Sequence, residues 1–269
     1  MEVAHQLAAD GATEGTLVWA SRQAQGRGRL GRTWESPEGG AYFSLILRST
    51  RPPVDIPQLS LVAGLSAAEA IQQTTGLFPS IRWPNDVLLN GLKVAGILTE
   101  TRSSSNTLSA IRSTLYAVIG IGINVTTRTE DLPDTATSLL ANLSQPSPLA
   151  SATGCATGRG ALALSCGERG GPATPSGGPR PLPLAHSLTG SLCRRFRAWY
   201  DVWTTKGFAP IREALRPWIG LFGHPVHISA GADRFEGTAS DLDEAGRLVV
   251  RLDSGVMRQF EMGEVTLLR

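Results

Sequence analysis

The segment "QGRGRLGRTW", residues 25–34, restricts the fold more than any other stretch of this sequence. Gly26, Gly28 and Gly31 match the G-x-G-x-x-G spacing of a dinucleotide-binding turn, in which a strand precedes the glycines and a helix directly follows them. A strand is predicted before the segment, but "ESPEGGAYFSLIL" after it contains a proline, two adjacent glycines and then a strand pattern. No helix N-terminus is therefore available to hold a pyrophosphate, which excludes a dinucleotide-binding parallel sheet at this point.

The same segment is rich in arginine, which indicates another kind of phosphate chemistry. Arg22, Arg27, Arg29 and Arg32 lie in it or just before it. A glycine-rich loop exposes backbone N–H groups, and arginines add bidentate donors for phosphate and carboxylate oxygens. The pattern predicts a loop that closes over a triphosphate. A solvated basic hairpin and a nucleic-acid-binding loop stay open as alternatives, although the latter needs stacking aromatic residues and only Trp34 is close.

The second informative stretch, residues 82–100, predicts a β-hairpin. Asn90 and Gly91 lie between two apolar runs, and Asn-Gly is the strongest short signal for a tight hairpin turn. The candidate site residues around this turn are Asn85, Asp86, Lys93 and Gly96. A lysine beside an amide and a carboxylate, and opposite an arginine-rich loop, is a candidate ligand for an anion, although a lone hairpin lysine is more often simply exposed.

The third stretch, "LYAVIGIGINVT" at residues 115–126, predicts a buried strand that contains Gly120 and Gly122. Glycines inside a buried strand mark a place where another group approaches the backbone closely. Asn124 follows them and adds an amide to the candidate site residues.

These three stretches together resemble the biotin protein ligase family. The glycine–arginine loop ending in tryptophan, the W-P-N-D segment with a lysine seven residues after its aspartate, and the G-x-G-x-N strand occur in the family's order. The resemblance covers about residues 1–143 and 186–269. It implies an α+β fold: a mixed β-sheet with helices, of the class II synthetase-like type found in the biotin–lipoate ligase core, plus a small C-terminal SH3-like β-barrel.

The predicted organisation has four parts. Residues 1–143 form the first part of the catalytic core, and residues 186–219 form its closing helices. Residues 144–185 are rich in Gly, Pro, Ser and Ala without a sustained period, and this composition predicts a disordered low-complexity insertion. Residues 220–269 alternate short strands with turns, which predicts the small β domain.

The resemblance implies an enzyme, a biotin–[biotin carboxyl-carrier protein] ligase. Such an enzyme uses ATP to join biotin to a lysine of the biotin carboxyl carrier domain of acetyl-CoA carboxylase, through a biotinyl-5′-AMP intermediate. The implied substrates and cofactors are biotin, ATP and Mg²⁺, and the implied partner is the biotin carboxyl carrier protein. Two alternatives stay open: a lipoate or octanoate transferase of the same fold, and a non-catalytic regulator that binds biotin.

Three residues carry the implied chemistry. Lys93 contacts the biotin carboxylate and the α-phosphate, Arg29 holds the carboxylate and the phosphate, and Asp86 either helps to deprotonate the acceptor lysine or ties down the hairpin. The residues implied to bind biotin or its adenylate are Gln23, Gly26, Arg27, Gly28, Arg29, Arg32, Trp34, Asn85, Lys93, Gly96, Gly120, Gly122 and Asn124. No protein ligands for a metal are expected, because ATP would carry the magnesium.

Charge, apolar runs and cysteine and histidine spacing limit the partners, the cellular location and the metal sites that the sequence predicts. The formal net charge of +2 is too small by itself to indicate a nucleic-acid partner, and we expect no apolar run that approaches the roughly 18 residues needed to span a bilayer. Cys155, Cys166 and Cys193 are an odd number without C-x-x-C spacing, which favours a reducing, cytoplasmic location. His224 and His227 fit polar positions near the start of a strand better than a metal pair. A homodimer is left open.

The beginning of the chain departs from the family pattern. The family places a Ser-Thr pair just before the residue that aligns with Met1, and the sequence shows no DNA-binding helix-turn-helix before the core. We therefore expect the ligase-only form of the family, and we expect the natural start of the protein to lie upstream of Met1.

Overall fold

A six-stranded sheet organises the larger part of the protein. The structure is a computed structural model that describes residues 1–104, 114–144, 181–231, 233–261 and 263–268. The strands of the sheet are β1 (Leu17–Ala20), β2 (Gly40–Leu47), β3 (Ser80–Arg82), β4 (Asp86–Leu89), β5 (Leu92–Ser104) and β6 (Thr114–Asn124). They lie in the order β1-β2-β6-β5-β4-β3, and all neighbouring strands are antiparallel. Among the described residues, the parallel component of the predicted mixed sheet is an isolated bridge between Lys93 and Ala136.

The predicted hairpin is present between β4 and β5. Asn90 and Gly91 both have positive φ, 51° and 81°, which is the combination that a two-residue type I′ turn requires. The turn returns the chain alongside β4, so that Asp86 and Gly96 lie opposite each other. A local signal in the sequence thus brings two candidate site residues together.

A helical layer covers one face of the sheet. The α-helices among the described residues are α1 (Glu2–Ala9), α2 (Gln58–Thr75), α3 (Leu139–Leu143), α4 (Pro181–Lys206) and α5 (Ala209–Leu215). α2 lies on the sheet and α4 packs over α2, where the buried Trp203 donates its indole N–H to Gln58 Oε1 at 2.6 Å. The sheet, α2 and α4 therefore form three layers around one apolar core.

α2 is the central helix of this layered arrangement. By length and composition alone, the helical stretch Pro53–Thr75 is long and apolar enough to cross a membrane, contrary to the expectation from the sequence. In the structure 72% of its most apolar window is buried inside the fold. A helix enclosed by protein on several sides is apolar for the same physical reason as a helix enclosed by lipid.

α4 begins at Pro181, five residues before the predicted start of the closing helices at residue 186. Leu184 and Ala185 are buried in the core, so these apolar residues belong to the helix, although they were assigned to the insertion. Proline is tolerated in the first turn of a helix, where its missing N–H would have no partner. Most of the predicted insertion at residues 144–185, namely residues 145–180, lies outside the described residues.

The C-terminal part forms the predicted small β domain. Its strands are β7 (Pro225–Ala230), β8 (Asp233–Leu242), β9 (Leu248–Leu252), β10 (Met257–Phe260) and β11 (Glu264–Leu267), in the antiparallel order β10-β9-β8-β7-β11. The carbonyl of Gly246, in the turn between β8 and β9, accepts a 3.0 Å hydrogen bond from the indole N–H of the buried Trp83. Gly246 has a φ of +81°, and a Cβ there would lie 3.1 Å from Leu61, so glycine permits this approach. The contact fixes the turn that precedes β4.

The opposite face of the sheet is covered by α1 at one end. Ala4 and Ala8 of α1 pack against Ile46, Tyr116 and Val118. The rest of this face, toward the glycine-containing parts of β5 and β6, lies beneath the loop that follows β1. The sheet thus separates a packed core on one side from an accessible surface on the other.

Candidate active site

The floor of the candidate site is a patch of sheet without side chains. Gly96 of β5 lies directly opposite Gly122 of β6, and we call this pair the glycine floor. Trp34 rests on it: a Cβ at Gly122 would be 2.7 Å from the indole Nε1, and a Cβ at Gly96 would be 2.8 Å from Cζ3. Cβ atoms do not approach other atoms that closely, so the ring can occupy this position only because both residues are glycine.

The glycine–arginine loop forms a short hairpin that carries Trp34 over the floor. The Trp34 N–H donates to the Gly26 carbonyl at 3.0 Å, and Arg27 pairs with Thr33 as an antiparallel bridge. A Cβ at Gly26 would lie 2.1 Å from the Trp34 carbonyl oxygen. Gly26 therefore serves the conformation of the loop.

Two cations approach the glycine floor from different elements. Lys93, just after the hairpin turn, has its Nζ 5.1 Å from the centre of the Trp34 ring and 2.6 Å from Asp86 Oδ1. Arg29, from the loop, donates from Nη1 to Asn85 Oδ1 at 2.8 Å. A lysine and an arginine at one edge of a flat apolar patch are suited to hold adjoining anionic groups.

Asp86 is the counterion of this cationic edge. Its Oδ1 lies 2.6 Å from Lys93 Nζ, its Oδ2 lies 2.7 Å from Arg82 Nη2, and its side chain is 13% exposed. Both carboxylate oxygens are thus engaged by cations. Of the two predicted roles of Asp86, this geometry fits the one that holds the hairpin together, not the deprotonation of an acceptor.

The floor, the loop and the two cations enclose a cleft of about 630 Å³. The predicted site residues that line it are Gln23, Arg27, Gly28, Arg29, Trp34, Asn85, Lys93, Gly96, Gly120 and Gly122. Ser36 Oγ donates to Gln23 Oε1 at 2.7 Å, which orients the Gln23 amide. The cleft therefore combines an apolar floor, an oriented amide and two cations.

Four predicted residues do not line the cleft: Gly26, Arg32, Asp86 and Asn124. Asn124 is 2% exposed, and its Nδ2 donates to the Thr137 carbonyl at 3.1 Å. The segment after β6 folds back over Asn124, so its contact with a ligand stays a prediction. The Arg32 carbonyl accepts a 2.7 Å hydrogen bond from the Gly28 N–H, which stabilises the turn of the loop.

Comparison with known proteins assigns the family. The profile of the biotin/lipoate A/B protein ligase family matches residues 3–124, and the profile of the biotin protein ligase C-terminal domain matches residues 221–268. The biotin–[acetyl-CoA-carboxylase] ligase of Paracoccus denitrificans is 31% identical over 249 residues, which cover 92% of this chain and 88% of that protein. The chain belongs to the biotin protein ligase family.

Two further comparisons support the same family assignment. The bifunctional ligase/repressor BirA of Bacillus subtilis is 33% identical over 258 residues, which cover 96% of this chain and 68% of that protein. A solved structure of the Aquifex aeolicus biotin protein ligase in complex with biotin and ATP matches with a TM-score of 0.70 and 26% identity, over 99% of this chain and 94% of that one. The family makes the chain an enzyme of the ligase class, and the predicted α+β fold with an SH3-like C-terminal domain is confirmed.

An ion-pair network that lies beside the cleft and contacts the loop was not predicted from the sequence. Glu100 Oε2 lies 2.9 Å from Arg27 Nη2 and 2.7 Å from Nε2 of the buried His5. Glu2 adds an ion pair with Arg102 at 2.9 Å. The available signal was the two-residue alternation of β5, which places Glu100 on the same face as the floor glycine of that strand.

The electrostatic environment of His5 is set by its burial. Burial lowers the pKa of His5 below its usual value, although the hydrogen bond to Glu100 partly opposes this. Among the described residues, His5 Nδ1 has no hydrogen-bond partner. A neutral ring that donates from Nε2 to Glu100 leaves only an acceptor unpaired, whereas a protonated ring would bury a charge and an unpaired donor.

We predict that His5 lowers the stability of the protein at acid pH. Because burial lowers its pKa, the unfolded chain binds a proton below about pH 6.5 before the folded protein does, so the free energy of unfolding falls as the pH decreases. Chemical denaturation at about pH 7.5 and about pH 5.5 should show a smaller loss in His5→Gln than in the native protein. His224→Gln, at an exposed histidine, controls for the substitution. An equal pH dependence in His5→Gln and the native protein would contradict the prediction.

We also predict that Gly122→Ala displaces Trp34 and opens the loop. Forcing a methyl group into a packed site costs about 1–3 kcal/mol, so trypsin should cleave after the loop arginines about tenfold faster. Gly64→Ala is the matched control, because a Cβ there would have its nearest neighbour at 3.9 Å. Equal cleavage rates in the two variants would mean that the ring on the floor does not hold the loop.

Proposed function

We propose that the chain biotinylates a lysine of a carrier protein, the biotin carboxyl carrier domain of acetyl-CoA carboxylase, through a biotinyl-5′-AMP intermediate. The observation that carries the proposal is the meeting of Lys93 and Arg29 at the edge of the glycine floor. These residues come from separate elements and line one cleft. The proposal places the reaction in the cytoplasm.

The first step brings two anions together, and a cleft lined by two cations suits this requirement. A carboxylate oxygen of biotin attacks the α-phosphorus of ATP, and pyrophosphate leaves with the electron pair of the broken P–O bond. Repulsion between the carboxylate and the triphosphate opposes their approach. Lys93 and Arg29 offset that repulsion and stabilise the charge that develops on the α-phosphate oxygens.

The second step transfers the biotinyl group to the carrier. The lysine amine attacks the carbonyl carbon of the mixed anhydride, the C–O bond to the phosphate breaks, and AMP leaves. Asp86 is engaged by Lys93 and Arg82. In this proposal it therefore keeps Lys93 in place and takes no proton from the acceptor amine.

The apolar part of the cleft suits the biotin end of the intermediate. Trp34 over the glycine floor provides an aromatic surface for an aliphatic chain and a compact ring system. Gln23 accepts a hydrogen bond from Ser36 through Oε1, which directs its amide NH₂ toward other acceptors, such as a ureido carbonyl.

Magnesium is assigned to the nucleotide in this proposal. Among the residues that the structure describes, no three His, Cys, Asp or Glu side chains are grouped to hold a metal ion, and His224 and His227 belong to no such group. Bound to ATP, magnesium would neutralise part of the phosphate charge. The groups of this chain that act on the phosphate oxygens are Lys93 and Arg29.

A transfer assay tests the proposed function against its alternatives. The chain is incubated with ATP, magnesium and a purified carrier domain, with either biotin or lipoate, and the carrier is analysed by streptavidin blotting and mass spectrometry. Biotinylation of the carrier is expected. A carrier modified by lipoate alone would support the lipoate or octanoate transferase. A chain that binds biotin but leaves the carrier unmodified would support the non-catalytic regulator.

We predict that Lys93→Ala lowers the rate of biotin-dependent ATP–pyrophosphate exchange by about 10²–10³-fold. Loss of one preorganised donor to transition-state charge typically has an effect of this size. The matched control is Lys206→Ala, which removes an exposed lysine at the end of α4 and should exchange like the native protein. Native exchange rates in a folded Lys93→Ala variant would remove Lys93 from the mechanism.

A further inference from the structure

Glu100 lies between the glycine–arginine loop and the body of the protein. It belongs to β5, and its side chain is 25% exposed. Its Oε2 atom lies 2.9 Å from Nη2 of Arg27 in the loop and 2.7 Å from Nε2 of the buried His5 in α1. One carboxylate oxygen thus connects a strand, a helix and the loop.

The His5 contact limits where the Glu100 carboxylate can be. His5 is 1% exposed and is packed within α1 on the sheet, near Tyr116. A carboxylate bonded to such a fixed ring loses much of the rotamer freedom that weakens exposed ion pairs. Glu100 therefore offers the loop a fixed acceptor.

Arg27 passes this restraint on to the rest of the loop. Its backbone pairs with Thr33 across the loop hairpin, and Thr33 directly precedes Trp34 on the glycine floor. Arg27 also has an ion pair with Glu2, but that distance is 3.4 Å and Glu2 is 71% exposed and bonded to Arg102. The contact of Arg27 with Glu100 is therefore shorter than its contact with Glu2, and Glu100 is the less exposed of the two carboxylates.

We infer that Glu100 is a positioning residue that holds Arg27, and through it the glycine–arginine loop, in the closed arrangement over the cleft. The inference rests on the proposed function, because a closed loop matters only if the cleft retains a ligand. Glu100 itself does not line the cleft. Its loss should weaken the binding of biotin and its adenylate without changing the chemistry at Lys93.

The first test needs no substrate. Glu100→Gln removes the charge and keeps the shape of the side chain, so trypsin should cleave after the loop arginines about fivefold faster than in the native protein. Glu69→Gln is the matched control: Glu69 is 18% exposed and is paired with Arg195 at 3.5 Å and with Trp199 at 3.1 Å, away from the loop. Equal loop cleavage in the native protein and in Glu100→Gln would overturn the inference.

The second test uses a double-mutant cycle on biotin-dependent ATP–pyrophosphate exchange. Glu100→Gln should raise the KM for biotin about tenfold and leave kcat within about twofold, because it weakens loop closure and leaves the reacting groups in place. In an Arg27→Gln background, Glu100→Gln should have no further effect on KM. A purely structural role for Glu100 would give the same factor in both backgrounds, and that result would overturn the inference.

Two further controls keep the outcomes separate. If Glu100→Gln lost its cooperative melting transition, Glu100→Asp would replace it in both tests, since it keeps the charge but shortens the reach to Arg27 by one CH₂ group. Native protein that shows no biotin-dependent exchange would contradict the proposed function. Native exchange together with a Glu100 variant that behaves like Glu69→Gln would contradict only the inference about Glu100.

Discussion

The site depends on one steric fact, which is that two glycines face each other across β5 and β6. Gly96 and Gly122 leave a patch of sheet on which the Trp34 ring can lie directly. The other face of the sheet is packed against α2, so the floor cannot move away to admit a side chain. The height of the ring above the sheet sets the position of the loop, and the loop carries Arg27 and Arg29 to the cleft.

Carboxylates outside the cleft position the cations that line it. Asp86 holds Lys93 from the hairpin side, and Glu100 holds Arg27 from the side of α1. Partly exposed ion pairs of this kind contribute only about 0–1 kcal/mol to folding. Their importance here lies in geometry, because a long flexible cation that is already oriented loses less freedom when an anion arrives.

The small β domain is joined to the larger part of the protein next to residues 83–86. The turn at Gly246 accepts a hydrogen bond from Trp83, which immediately precedes the Pro-Asn-Asp turn. Gln58 of α2 reaches the same turn, where its Nε2 donates to the Glu244 carbonyl at 3.5 Å. The small β domain thus stabilises the position of Asn85, whose Oδ1 accepts a hydrogen bond from Arg29.

Those features that follow from local backbone chemistry were determined by the sequence alone. Asn90 and Gly91 tolerate positive φ, so these two residues alone predict the hairpin of β4 and β5. The glycines and arginines of the loop and the glycines of β6 likewise predicted the cleft. A missing side chain leaves space, and a charged side chain attracts anions, whichever segments pack around it. The family resemblance rested on the order of these same local motifs.

Only the tertiary structure decided which partners those residues meet. Glu100 and Arg27 are 73 residues apart, and Glu100 and His5 are 95 apart, so their contact depends on strand register and on the packing of α1. Asn124 reads as a site residue in the sequence, but the segment that carries Thr137 folds over it and buries it. A side chain's chemistry is written in the sequence, whereas its exposure and its neighbours arise from the packing of segments that the chain brings together from a distance.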